Sequence, residues 1–159
     1  MSSSANSAKP AHANYTRLSV GRLADLRESF PEPALGSADK LGVTAGKVFT
    51  GDRLGSKSFE LSVHRLLPGQ GMPFFHRHKR NEELYAIIRG RGRFILDGEE
   101  IQVTEGDFIR VDPAASRSWA AAPDEELVYF CWQVEQGSLQ AKVFADGELL
   151  ADPVPWPTT

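Results

Sequence analysis

Beyond residue 43 the chain breaks into short apolar runs separated by Gly-rich or charged turns. The runs fall over 46–50, 59–67, 74–78, 84–88, 93–96, 101–103, 108–111 and 127–134. Strands at this spacing, without a long stretch of helical periodicity, argue for an all-β sandwich or barrel. Asp97-Gly98-Glu99 reads as a hairpin, and Arg89-Gly90-Arg91-Gly92-Arg93 as another turn. Alternation in the last run puts Tyr129, Cys131 and Gln133 on one face and Val128, Phe130 and Trp132 on the other.

The flanks follow a different pattern. Residues 19–28 fit either a short strand or a helical turn, which Pro31-Glu32-Pro33 ends. Residues 1–14 are small and polar and read as a disordered tail without the apolar run of an export signal. At the other end, the Asp146-Gly147 turn precedes Pro153, Pro155 and Pro157, so 135–159 is expected to form a strap across the outside, with Trp156 as its anchor. The sequence contains no internal repeat. The expected organisation is therefore a tail over 1–14, an extension over 15–57 packing on the barrel, a single β unit over 58–134, and the strap.

Composition narrows the function. Eighteen basic against 21 acidic residues give a formal net charge of −3, which points to neither nucleic acid nor an anionic membrane as partner. The Arg-Gly run at 89–93 does not change this, because its glycines have a conformational use in a turn. A single cysteine, Cys131, leaves no internal disulfide and fits a reducing compartment, so a cytoplasmic location is the expectation. The longest apolar runs fall far short of the roughly 20 residues that a membrane span needs.

Chemistry concentrates between residues 68 and 90. His76 and His78 are two apart, so on an extended strand both imidazoles leave the same face, with Cα atoms about 6.5 Å apart. Lys79-Arg80-Asn81 forms a polar turn, after which a strand beginning at Glu82-Glu83 runs back and brings a carboxylate opposite the imidazoles. Adjacent strand residues face opposite ways, so only one of Glu82 and Glu83 can join them. Two imidazoles and a carboxylate suit a divalent ion.

His76-x-His78, Glu83 and Gly90 at these spacings, with the Pro68-Gly69 entry and the Gly90-Arg91-Gly92 exit, resemble the first metal-binding motif of the cupins. These are small double-stranded β-helix (jelly-roll) barrels. The stretch from Val103 to Val111 resembles the start of their second motif, and the likeness covers about residues 58–134. It implies an all-β, single-domain cupin and selects Glu83 over Glu82 as the third metal ligand. The second motif departs from the family: ungapped alignment from Gly106-Asp107 puts Asp112 where a proline is usual, Ala114 where a glycine is, and Arg117 where the fourth ligand, a histidine, would stand.

A guanidinium has no lone pair to give a metal, so Arg117 leaves two main readings. In one, His76, His78 and Glu83 hold a divalent ion (Fe, Mn, Zn or Ni) with open positions, and Arg117 anchors an anionic group of a small organic substrate, Tyr85 and Trp119 lining its pocket. The resemblance then implies dioxygenase, isomerase or decarboxylase chemistry, without choosing among them. In the other, Arg117 pairs with Glu83, its charge replaces the metal, and the barrel is a non-catalytic ligand-binding or sensor protein. A third placement puts Arg117 at the solvent-facing rim. His64 shares parity with Ser62 and Leu66 and is either an interior nitrogen or a surface histidine. Phe75 and Phe94, like Tyr85 and Trp119, line a pocket or fill the barrel. The resemblance also implies a homodimer.

Overall fold

The computed structural model describes residues 16–32, 45–142 and 145–156, so the tail expected over 1–14 lies outside the described residues. Seven strands follow one another there: β1 (Lys47–Phe49), β2 (Glu60–Leu66), β3 (Asn81–Leu96), β4 (Glu99–Thr104), β5 (Phe108–Val111), β6 (Arg117–Ala121) and β7 (Leu127–Glu135). Every pairing among them is antiparallel. β1, β2, β7 and the first half of β3 lie side by side, with β5 on the far edge of β3. The second half of β3 lies between β4 and β6. The double-stranded β-helix expected from the sequence is the fold observed.

β3 is the strand the two halves share, and here the structure corrects the sequence reading. Residues 84–88 and 93–96 were expected as two strands joined by a turn at 89–93, yet the chain runs through as one strand of 16 residues. Its register shifts at a bulge between Ile87 and Arg89. Gly90 follows at φ +85°, and a Cβ there would lie 1.8 Å from the carbonyl oxygen of Glu126. The glycine therefore bends a continuous strand from one half of the barrel into the other. The true hairpin is Asp97-Gly98, whose φ values of +48° and +90° suit a tight two-residue turn.

β6 was not anticipated, because Arg117-Ser118-Trp119-Ala120-Ala121 shows no clean alternation. Its inward positions are Arg117, Trp119 and Ala121, and the arginine disguises the pattern. Conversely, 74–78 is no regular strand. It is an extended segment held against β6 by the bridges Gly71–Ala120 and His76–Arg117.

The barrel interior is filled by Leu66, Tyr85, Ile87, Phe94, Val103, Val111, Trp119, Leu127, Tyr129 and Cys131. A second cluster joins Leu26, Val48 and Val63 on the outside of β1 and β2. The ambiguous N-terminal segment supplies its lid as a helical turn: a 3₁₀ turn over Leu23–Asp25 runs into α1 (Leu26–Ser29), and Leu26 is fully buried. Burying that leucine is worth about 1.5–3 kcal/mol. Between β1 and β2, α2 (Gly51–Leu54) is held by Glu60, whose Oε1 accepts from the amides of Thr50 and Gly51. Trp156 is 65% exposed, and Leu149 and Leu150 are more exposed still, so among the described residues Trp156 is not buried as an anchor. None of the described helices is long and apolar enough to cross a membrane.

Candidate metal centre

Glu83 is the organising group. It lies near the start of β3 facing inward, 2% exposed, while Glu82 points outward and accepts from Arg110 Nε at 2.7 Å. The two-residue strand period that separates them also puts Tyr85 on the Glu83 side, and the Tyr85 hydroxyl donates to Glu83 Oε2 at 2.6 Å. From β7, paired with β3 in the register Tyr85–Cys131, the Cys131 thiol reaches Glu83 Oε1 at 3.5 Å.

The histidines arrive on the opposite wall. His76 exchanges backbone hydrogen bonds with Arg117, N–H to carbonyl at 3.1 and 2.9 Å, and the His78 amide donates to the carbonyl of Pro113. This fixes an otherwise irregular segment so that His78 Nε2 sits 3.1 Å from Glu83 Oε1 and His76 Nε2 sits 3.8 Å from Oε2. One ligand atom from each of the three residues falls within 4.8 Å of the others, the only such set of three among the described residues. His78 Nε2 is buried and, despite the short contact, is not aligned for a hydrogen bond. The nitrogen is held against the carboxylate without a well-aligned hydrogen bond, an arrangement that an ion shared between the two groups would complete. The donor set of two imidazoles and one carboxylate fits a divalent metal.

Arg117 is fully buried, which removes the rim placement. Its Nη1 donates to the carbonyls of Pro113 and Ala115 at 3.2 and 2.8 Å, and Nη2 to the carbonyl of Asp112 at 3.2 Å. Its Nε lies 3.0 Å from Glu83 Oε2, a charge contact short of hydrogen-bond alignment. The guanidinium is thus turned toward the backbone between β5 and β6, its Nε edge on the carboxylate. Oε2 carries Tyr85 and Arg117, and Oε1 faces His78.

Burial pushes the Glu83 carboxyl upward, but the imidazoles of His76 and His78 and the Tyr85 hydroxyl more than reverse this and hold it below the usual carboxylate range. It is an anion at neutral pH. Burial, then the charge of Glu83, pushes the Cys131 thiol well up, so it stays protonated. Burial pushes Tyr85 up as well, ahead of its neighbours Cys131 and Glu83.

The other sequence candidates separate by position. Trp119 and Phe94 stack, with ring centroids 5.5 Å apart, and with Tyr85 and Tyr129 fill the barrel beneath the site. His76 rests edge-on against Trp119 at 5.8 Å. Phe75 is 57% exposed at the outer end and neither fills the barrel nor closes it. His64 is wholly buried, not a surface residue, but it lies away from the three metal-capable groups: its Nδ1 is 2.8 Å from the Tyr129 hydroxyl, which accepts from Trp119 Nε1 at 2.8 Å. The Tyr129 hydrogen is then available to His64 Nδ1, consistent with a neutral ring whose pKa is lowered to about 3 by burial and by Lys47 and Arg27. Two surface cavities, of about 450 Å³ beside Phe30 and Arg53 and about 530 Å³ beside Arg80 and Gln136, are lined by residues other than His76, His78 and Glu83.

An antiparallel β-barrel with two imidazoles and a carboxylate converging inside one end defines a class of protein, and known proteins give that class its name. A family model for the cupin domain matches residues 62–133. The crystal structure of a cupin protein from Bacteroides fragilis is 38% identical and superposes with a TM-score of 0.64, covering 65% of this chain and 88% of that one. The chain belongs to the cupin family. A stretch of 48 residues is also 38% identical to an uncharacterised protein of Methanocaldococcus jannaschii, covering 30% of this chain and 38% of that relative's length. None of these names carries an activity.

Proposed function

We propose that this cupin binds one divalent metal ion through His76, His78 and Glu83 and acts on a small organic molecule that completes the ion's coordination. The observation that carries this reading is the buried, unaligned His78 Nε2 set 3.1 Å from a carboxylate oxygen, with His76 Nε2 close by. A bound divalent ion supplies Lewis acidity, or redox chemistry where it is iron or manganese. The protein's own groups do the rest. Glu83 contributes its anionic charge, and Tyr85 orients the carboxylate by donating to Oε2. The histidine side chains are about a quarter exposed while Glu83 and Arg117 are buried, so a molecule enters from the histidine side. Trp119 and Phe94 exclude water from below.

A second reading is favoured by the contact of Arg117 with Glu83 at 3.0 Å, in which the guanidinium replaces the ion and the barrel is a metal-free binding protein. Elemental analysis of untagged protein, after loading with excess metal and dialysis, decides between them. The expected result is close to one ion per chain, lost in a folded His76→Ala variant. No retained ion under any loading condition overturns the metal reading and leaves the second.

A further inference from the structure

Among the charged groups around the proposed metal position, the most thoroughly enclosed is another cation. Arg117 is 0% exposed, sits beside the ligand carboxylate, and makes its other contacts with backbone carbonyls alone. A buried guanidinium keeps its charge, because it does not lose its proton in proteins. The donor set of His76, His78 and Glu83 would lend an ion one negative charge and no more, since both imidazoles bind as neutral ligands. Arg117 cancels that charge at close range.

The ion would consequently sit in a pocket whose protein charge sums to zero, with its own two positive charges uncompensated on the side where the histidines open to solvent. Resting on the metal reading proposed above, we infer that Arg117 makes this centre an acceptor of small anions: a carboxylate-bearing or similar oxyanionic ligand that binds on the ion and restores neutrality. The guanidinium does so without touching the ligand, since the Glu83 carboxylate and three carbonyls hold it inside the wall. It is a positioning and charge-setting residue. Arg117 and Tyr85 both engage Oε2, and the oxygen facing His78 is Oε1.

Charge setting and mere scaffolding predict opposite patterns. If Arg117 sets the charge, replacing it with glutamine, which retains a donor for the carbonyls, strengthens the hold on the metal and weakens the hold on an anion. If Arg117 only props up Glu83, both affinities fall together.

The test uses full-length protein titrated with Co(II), followed by acetate or oxalate titration of the loaded protein, both read by visible absorption. Arg117→Gln is expected to raise Co(II) affinity and lower anion affinity, each by roughly a hundredfold or more, the scale of one charge a few ångströms away at an effective dielectric of about 20. Arg117→Lys, which keeps the charge, is expected to retain the anion affinity. Should Arg117→Gln fail to fold, Arg117→Met gives the same pair of measurements with a neutral side chain of similar reach. A parallel loss of both affinities, or no change in either, overturns the inference while leaving the metal reading intact. Wild-type protein that binds no Co(II) overturns both.

Discussion

His76 and Arg117 are partners in an isolated antiparallel bridge. Forty-one residues apart in sequence, they exchange both backbone hydrogen bonds, at 3.1 and 2.9 Å, and in an antiparallel ladder such a pair projects its side chains to the same face. Each reaches the same oxygen of Glu83, His76 Nε2 at 3.8 Å and Arg117 Nε at 3.0 Å. A single backbone bridge thus brings a metal-capable imidazole and a permanent cation onto one carboxylate.

Glu83→Gln keeps the shape of the side chain and removes its charge. Arg117 would then be a buried cation without its counterion, a change worth about 3 kcal/mol or more of stability. Chemical denaturation should show a lower midpoint with little change in slope, and metal should no longer be retained. Unchanged stability would mean that the three carbonyls around Arg117 are enough to keep it.

Tyr85→Phe removes one hydroxyl from a fully packed site. Glu83 Oε2 loses its 2.6 Å donor but keeps Arg117, so the expected loss of stability is modest, about 1–2 kcal/mol. Metal affinity should fall by about tenfold, the usual effect of removing a partner that orients a ligand. Equilibrium dialysis with the folded variant checks this, and unchanged affinity would remove the orienting role from Tyr85.

Gly90→Ala tests the bend that aligns the two halves of β3. Alanine is strained at φ +85°, and its Cβ would collide with the backbone of Glu126, which no side-chain rotation relieves. A loss of roughly 3 kcal/mol or failure to accumulate as soluble protein is expected. Gly98→Ala, also at positive φ but with open space around the site of its Cβ, should cost less. Equal effects of the two would mean that backbone conformation alone matters at Gly90.

The sequence made the metal-capable residues visible because their spacing is short. His76, His78 and Glu83 lie within eight positions, joined by a polar turn; parity allowed only one of Glu82 and Glu83 to face the imidazoles, the cupin spacing chose Glu83, and Glu82 pairs outward with Arg110. Parity likewise predicted the shared face of Tyr129 and Cys131, both buried in the interior. What stayed hidden depends on long-range pairing. Arg117 could be placed at the fourth-ligand position, but its choice between substrate, carboxylate and solvent depends on the carbonyls of Asp112, Pro113 and Ala115, which no side-chain pattern encodes. β6 escaped notice for a related reason, since an inward arginine reads as a surface residue until the carboxylate across the barrel is known. Gly90 misled in the opposite direction: an Arg-Gly run suggests a turn, and only the approach of Glu126 from the neighbouring segment shows that the glycine bends a strand.

Acid should destabilise the barrel through His64. Its ring is buried and neutral, its pKa lowered from an ordinary 6.5 to about 3 by burial and by Lys47 and Arg27. In the unfolded chain the same imidazole takes up a proton near its ordinary value, so between about pH 6.5 and 3 the unfolded state binds more protons than the folded one. Stability contributed by the neutral ring is therefore complete above that window and is lost as pH falls through it, at up to about 1.4 kcal/mol per pH unit. Carboxylates also contribute to acid unfolding, Glu83 among them, whose folded-state pKa is depressed and whose stabilisation is likewise lost in acid. A His64→Gln comparison isolates the histidine: the amide oxygen can accept the Tyr129 hydrogen but cannot titrate. The variant is expected to be less stable at pH 7.5, where an aromatic ring has been replaced in a packed interior, and to lose less stability than wild type between pH 6.5 and 4.5. Urea unfolding at four pH values across that range measures both slopes. Parallel curves would show that His64 is not the group taking up the extra proton on unfolding.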